Sequence, residues 1–116
     1  MLADDEPNII LSLEFLFRKN NLHVWIARNG NEAKEIIENQ QLDLLILDIM
    51  MPDLDGYELC ALARSLDHQA KAKIVFLSAK SKESDIQKGL TLGADAYITK
   101  PISTRQRMQQ VMDLIT

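Results

Sequence analysis

Five polar residues of this chain could together do phosphate or metal chemistry: Asp4, Asp5, Asp48, Ser78 and Lys100. Each set follows a short apolar run. Met1 to Ala3 precede the acidic pair, Leu44 to Leu47 precede Asp48, Ile74 to Leu77 precede Ser78, and Tyr97 to Thr99 precede Lys100. If the runs before Asp4 and Asp48 are neighbouring strands, three carboxylates meet. Like charges so close repel and raise one another's pKa unless a cation sits among them. A hard divalent ion such as Mg²⁺ takes oxygen ligands and keeps waters that substrate oxygens can replace. Lys100 adds a fixed positive charge, and the Ser78 hydroxyl can donate to a phosphoryl oxygen. A carboxylate nucleophile, a cation, an ammonium and a hydroxyl are the parts that phosphoryl transfer needs, because its catalysis is mostly positioning and charge stabilisation.

Taken singly, these residues have plainer readings. Asp4 and Asp5 could be solvated charges at a helix start, Asp48 a turn or capping aspartate, and Ser78 a strand-end hydrogen bonder. It is their joint placement at four strand ends that coincidence explains poorly.

Strands and helices must alternate to position such a set. Pro7 to Asn20 reads as a helix, with Ile9, Ile10, Leu13, Leu16 and Phe17 at helical spacing and Pro7 in the tolerant first turn. His23 to Ala27 reads as a strand closed by the turn signal Asn29-Gly30, and Glu32 to Asn39 as a helix. Leu42 to Leu47 is nearly continuous apolar sequence, as in a strand covered on both faces. After the loop Pro52 to Gly56, with Asp53 a loop charge and Asp55 a candidate N-cap, Tyr57 to Leu66 reads as a helix. Lys73 to Leu77 is a second buried strand, and Ser81 is placed to cap a helix running to about Leu92 and ended by Gly93. Ala96 to Thr99 is a last strand, Pro101 breaks it, and Ser103 to Ile115 is a final helix. Trp25 and Cys60 are packing residues in this scheme.

The alternation predicts an α/β fold, a doubly wound, five-stranded parallel sheet with helices on both faces. Ligands of such sheets sit outside the carboxyl ends of the strands. The first strand is the weak point, since only Met1, Leu2 and Ala3 remain to form it, and it is expected to be truncated.

Bulk properties exclude other classes. A length of 116 residues suits one domain, spanning 1–116, with 47% hydrophobic and 26% charged residues. No apolar stretch approaches the ~20 residues that cross a bilayer, and Asp4, Asp5 and Glu6 stand where a signal peptide would be apolar. A lone cysteine, Cys60, forms no intramolecular disulfide and suits a reducing cytoplasm. The net charge of −4 argues against direct binding to a nucleic-acid backbone.

Four stretches carry a resemblance: Ala3-Asp4-Asp5-Glu6-Pro7, Leu45-Ile46-Leu47-Asp48-Ile49-Met50-Met51-Pro52-Asp53-Leu54-Asp55-Gly56, Leu77-Ser78-Ala79, and Gly93-Ala94-Asp95-Ala96-Tyr97-Ile98-Thr99-Lys100-Pro101. In order, and over the whole chain, they resemble the motifs of chemotaxis-regulator-like receiver domains of two-component response regulators. The resemblance implies a flavodoxin-like (βα)5 fold and a phosphoacceptor domain that catalyses only its own phosphorylation and dephosphorylation. Asp48 would take a phosphoryl group from a sensor histidine kinase, a phosphotransfer protein or a small phosphodonor. Asp5, Asp48 and the backbone carbonyl of Met50 would hold Mg²⁺, or Mn²⁺ in its place, with Asp4 assisting partly through water. Lys100 would pair with Asp48 and the phosphoryl group, Ser78 would move toward it, and Tyr97 would swing inward as a switch. The Lys100-Pro101 bond would be cis. The fourth helix, fifth strand and fifth helix would form the output face toward an output domain or partner protein.

Two features refine this picture. Met50 and Lys80 border the acceptor where, in the family, residues tune autodephosphorylation, and an apolar Met50 cannot orient an attacking water. Asp95 is followed by Ala96 rather than a second acid, which weakens the salt-bridged dimer mode of winged-helix members, while Lys88, Arg105 and Arg107 leave a phosphorylation-linked homodimer open. Two rival functions fit the same sequence. One is a receiver that works without phosphorylation. The other is an enzyme of similar fold, a flavin carrier or an aspartate-based phosphatase, against which stand the acidic Asp4-Asp5-Glu6 and the methionine two residues beyond Asp48.

Overall fold

The strands form one parallel sheet in the order β2-β1-β3-β4-β5, with β1 at Leu2–Ala3, β2 at Ile26–Ala27, β3 at Leu44–Asp48, β4 at Lys73–Ser78 and β5 at Ala96–Thr99. Helices follow each strand: α1 Pro7–Lys19, α2 Gly30–Asn39, α3 Gly56–Ser65, α4 Glu83–Thr91 and α5 Arg105–Asp113. The structure, a computed structural model, describes residues 1–80, 82–100 and 105–114. The cap expected at Ser81, the break and cis bond expected at Pro101, the helix ends expected at Ser103 and Ile115, and the side chains of Arg105 and Arg107 lie outside the described residues.

Alternate residues of β3 and β4 point to opposite faces, and both sets are apolar. Leu45, Leu47, Ile74 and Phe76 pack with Ala33 and Ile37 of α2 and Leu59, Cys60 and Ala63 of α3. Leu44, Ile46, Val75 and Leu77 pack with Ile10, Leu13 and Phe17 of α1 and Val111 of α5. Helices therefore cover both faces, as the continuous apolar runs require. Trp25 and Cys60 are packing residues as expected.

β1 is two residues long yet central. Leu2 N donates to Trp25 O, Asp4 N to Ala27 O, and Ile46 N to Met1 O, so both neighbours grip it. Its shortness also limits β2. The expected strand from His23 shrinks to Ile26–Ala27, because only those residues face Leu2 and Ala3 in the ladder. Beneath Met1, between β2 and β3, a cavity of about 430 Å³ is lined by Leu22, Val24, Trp25, Leu42 and Leu44. The Met1 ammonium is buried there and donates to Leu44 O at 2.6 Å, and burial pushes its pKa down to about 5 despite the nearby Asp43 charge.

One helix start and one strand start differ from expectation by two residues each. Asn29-Gly30 is not a separate turn: the Asn29 side chain accepts from Glu32 N and caps α2, of which Gly30 is the first residue. β3 begins at Leu44 rather than Leu42, because Leu42 N is taken by the buried Gln69 side chain at 3.0 Å. Asp55 caps α3 through Glu58 N as its position predicted. Gly93 ends the α4 segment at φ +107°, a conformation that favours glycine.

Candidate functional site

The parallel order puts the carboxyl ends of β1, β3, β4 and β5 at one rim, and the expected set gathers there. Asp48 closes β3 and is 3% exposed, while Asp4 directly follows β1 and is wholly buried. Asp5, the next residue, is exposed. One oxygen from each of the three carboxylates can be chosen so that all lie within 4.8 Å of one another.

Lys100 joins the cluster from the end of β5. Its Nζ lies 2.8 Å from Glu6 Oε1, 3.1 Å from Asp4 Oδ2 and 3.4 Å from Asp48 Oδ2. Local backbone fixes the acids as well: Asp4 Oδ1 accepts from Glu6 N at 2.8 Å, and Asp48 Oδ1 from Met50 N at 3.2 Å. Asp4 Oδ2 has no well-aligned hydrogen bond, so its approach to Lys100 is a charge contact that leaves a buried oxygen with open lone pairs.

These environments shift the acids upward. Burial first, then the charge of Asp4, push Asp48 up to about 7, against the pull of Lys100. Burial likewise raises Asp4 above the usual carboxylate range. Burial alone would lower Lys100, but Glu6, Asp4 and Asp48 outweigh it and raise its pKa. A site that pushes two acids upward is short of positive charge. The unsatisfied Asp4 oxygen and the three convergent carboxylates fit a small, hard cation, whose opposite ligands stand ~4.2 Å apart in octahedral Mg²⁺.

Ser78 and Tyr97 sit beside this cluster. Asp48 pairs with Leu77 across the β3–β4 ladder, so Ser78 stands one residue further along, opposite Thr99. The Ser78 side chain is buried, its Oγ accepts from Lys80 N at 3.0 Å, and its carbonyl accepts from Lys100 N at 2.7 Å. The half-buried Tyr97 donates its hydroxyl to Lys80 O at 2.8 Å and sets its ring edge-on to Phe76. Both side chains thus hold the same residue of the loop after β4. Met50 leaves its side chain 61% exposed beside the acceptor.

Three participants escaped the sequence reading. Glu6 is the nearest partner of Lys100, and its only sequence signal was adjacency to the acidic pair. Asp53, read as a loop charge, accepts from Gly30 N and Asn31 N of α2. Asp95 accepts from Ile74 N and pairs with Arg64 at 3.0 Å, which joins α3 to the segment before β5.

Residues 1–112 match the family model described as "Response regulator receiver domain". The chain belongs to the response regulator receiver family. This receiver domain is similar to the receiver domain of a Francisella response regulator, with 31% identity, a TM-score of 0.86 and coverage of 98% of this chain and 93% of that one. A CheY-like receiver domain protein of Methanospirillum hungatei gives 28% identity and a TM-score of 0.88, covering 98% and 90%. The Thermotoga maritima response regulator TrrA, solved in complex with Mg²⁺ and BeF, gives 31% and 0.82, covering 97% and 95%. The receiver domain is thus a signalling domain with a flavodoxin-like fold, as its motifs implied. No described helix is long and apolar enough to cross a membrane.

Proposed function

We propose that this receiver domain accepts a phosphoryl group on Asp48 from the phosphohistidine of a sensor kinase or phosphotransfer protein. A carboxylate oxygen of Asp48 attacks phosphorus, the P–N bond breaks, and the imidazole leaves with a proton. The observation that carries this reading is the buried Asp48, flanked by Asp4 and Lys100 at the ends of three different strands. Asp5, Asp48 and the Met50 carbonyl would hold Mg²⁺, or Mn²⁺, with Asp4 assisting partly through water. A bound cation supplies charge neutralisation for the phosphoryl oxygens and lowers the acceptor's pKa.

The chain's own groups do the rest. Lys100 gives up one of its carboxylate partners to meet the phosphoryl oxygens, and the Ser78 hydroxyl turns from Lys80 N toward them. That turn loosens Lys80, which Tyr97 also holds, so the switch at Tyr97 is coupled to the acceptor through one loop residue. Tyr97 and Phe76 pack against Gly89 of α4, where a Cβ would come within 2.8 Å of the Phe76 ring. Rearrangement there would reach the face of α4, β5 and α5, toward an output domain or partner protein, with homodimerisation as one readout. This is the chemistry of a cytoplasmic relay acting through protein partners rather than nucleic acid. The apolar Met50 beside the acceptor offers no hydrogen bond to orient an attacking water, and the phosphorylated state lasts minutes or longer.

The test is incubation with acetyl phosphate and Mg²⁺ followed by mass spectrometry and a phosphate-release time course. One phosphoryl group should appear on the wild type and none on Asp48→Asn. Absence of the adduct on wild type sinks the acceptor role, and decay within seconds sinks the role given to Met50.

A further inference from the structure

Asp53 lies in the loop between β3 and α3, beyond Met50, and its carboxylate spans two elements. Oδ1 accepts from Gly30 N at 2.6 Å and from Leu54 N at 2.9 Å, and Oδ2 accepts from Asn31 N at 2.9 Å. Gly30 and Asn31 open α2, so the loop is tied to a helix start 23 residues earlier in the chain. The contact is close. A Cβ on Gly30 would lie 2.5 Å from both the Cβ and the carbonyl oxygen of Leu54. Desolvation acts to raise the Asp53 pKa, but the N–H groups of Asn31, Leu54 and Gly30 outweigh it and hold the carboxyl below its usual range.

The other end of the loop is anchored separately. Gly56 N donates to Ile49 O at 3.0 Å, and a Cβ on Gly56 would come within 2.7 Å of Asp48 O. The loop is therefore closed at its base by Gly56 and tied at its tip by Asp53. Met50 lies between these fastenings. A side-chain ligand can be aimed by its own rotamer, whereas a backbone carbonyl points wherever its loop holds it.

We infer that Asp53 is a positioning residue for the cation site, fixing through α2 the loop that carries the Met50 carbonyl. This rests on the reading above that the Met50 carbonyl is a ligand. It adds that the first turn of α2, tied to the loop through Asp53, is energetically linked to cation binding. Linkage is reciprocal, so bound Mg²⁺ should in turn steady the Gly30 and Asn31 amides.

The experiment compares the intact wild-type chain with Asp53→Ala and Asp53→Asn. Titration calorimetry measures the Mg²⁺ Kd, melting measures stability, and amide exchange follows Gly30 and Asn31 with and without Mg²⁺. Asp53→Ala should weaken Mg²⁺ binding about tenfold, the lower end of what groups supporting metal ligands contribute. Asp53→Asn keeps one oxygen acceptor for Gly30 and Leu54 and should fall between, which serves if the alanine variant does not fold. Mg²⁺ should slow exchange at both amides in wild type. A variant that melts lower but keeps the wild-type Kd overturns the inference, as does exchange at Gly30 and Asn31 indifferent to Mg²⁺. A wild type that takes up no Mg²⁺ overturns the underlying cation reading as well, and so marks that failure apart from the first two.

Discussion

Replacing Asp48 by asparagine should stabilise the protein at neutral and alkaline pH when no divalent cation is present. In the unfolded chain this carboxyl titrates near 3.8, whereas in the fold burial and the Asp4 charge raise it to about 7. Below 3.8 both states hold the proton and the group costs nothing. Between 3.8 and 7 the unfolded chain releases the proton and the native protein keeps it, so stability falls as pH rises, and the loss is complete above 7. A shift of that size corresponds to about 4 kcal/mol. This is a ceiling for the variant, because Lys100 loses one of its three carboxylate partners. Asparagine has the same shape and cannot ionise. Urea unfolding at pH 5 and pH 8 in a chelating buffer, for wild type and Asp48→Asn, isolates the effect because every other titrating group is shared. Of that ceiling, the part that falls between pH 5 and pH 8 is about 2 to 3 kcal/mol, and the variant should gain on wild type by up to that amount. Saturating Mg²⁺ at pH 8 should close much of that gap by stabilising wild type alone. Equal pH slopes in the two proteins, or a variant less stable at pH 8, would refute the account of Asp48 as a buried charge lacking compensation.

Further outcomes follow from other contacts. The Met1 ammonium titrates near 8.0 when unfolded and about 5 when folded, so between those values the unfolded chain binds the extra proton and stability falls as pH is lowered. Acetylating Met1 should remove that slope and raise stability at pH 5 by about 2 to 4 kcal/mol in urea unfolding, with the acetyl group entering the cavity beside Leu44; an unchanged slope would contradict it. Glu6→Gln removes the nearest partner of Lys100 and one negative charge, and phosphorylation by acetyl phosphate should speed up about twofold to fivefold, read by mass spectrometry. Arg64→Ala abandons hydrogen bonds to Gly93 O and Ala72 O and the Asp95 pair, and should cost about 2 to 3 kcal/mol in thermal melts. Arg64→Lys should recover little of it, because an ammonium cannot reproduce the guanidinium fork.

The amino-acid sequence by itself determined the alternation of elements and the residues facing the core. Leu44 to Leu47 and Ile74 to Leu77 are apolar at every position, a pattern suited to strands with helices on both faces. It also determined the capping role of Asp55 and the placement of Asp4, Asp48, Ser78 and Lys100 at strand ends, since these depend on positions a few residues apart. Tertiary structure decided what depends on distance between segments remote in the chain. β2 was cut to Ile26–Ala27 because a strand exists only where a neighbour pairs with it, and β1 offers two residues. Lys100 met Glu6 most closely, a pairing across 94 residues that no local pattern encodes. Asp53 became a tie to α2 rather than a loop charge because folding brought two otherwise unsatisfied helix N–H groups to it. The raised pKa of Asp48 belongs to the same class: its residue type is written in the chain, but burial and the nearness of Asp4 exist only once β1 and β3 lie side by side.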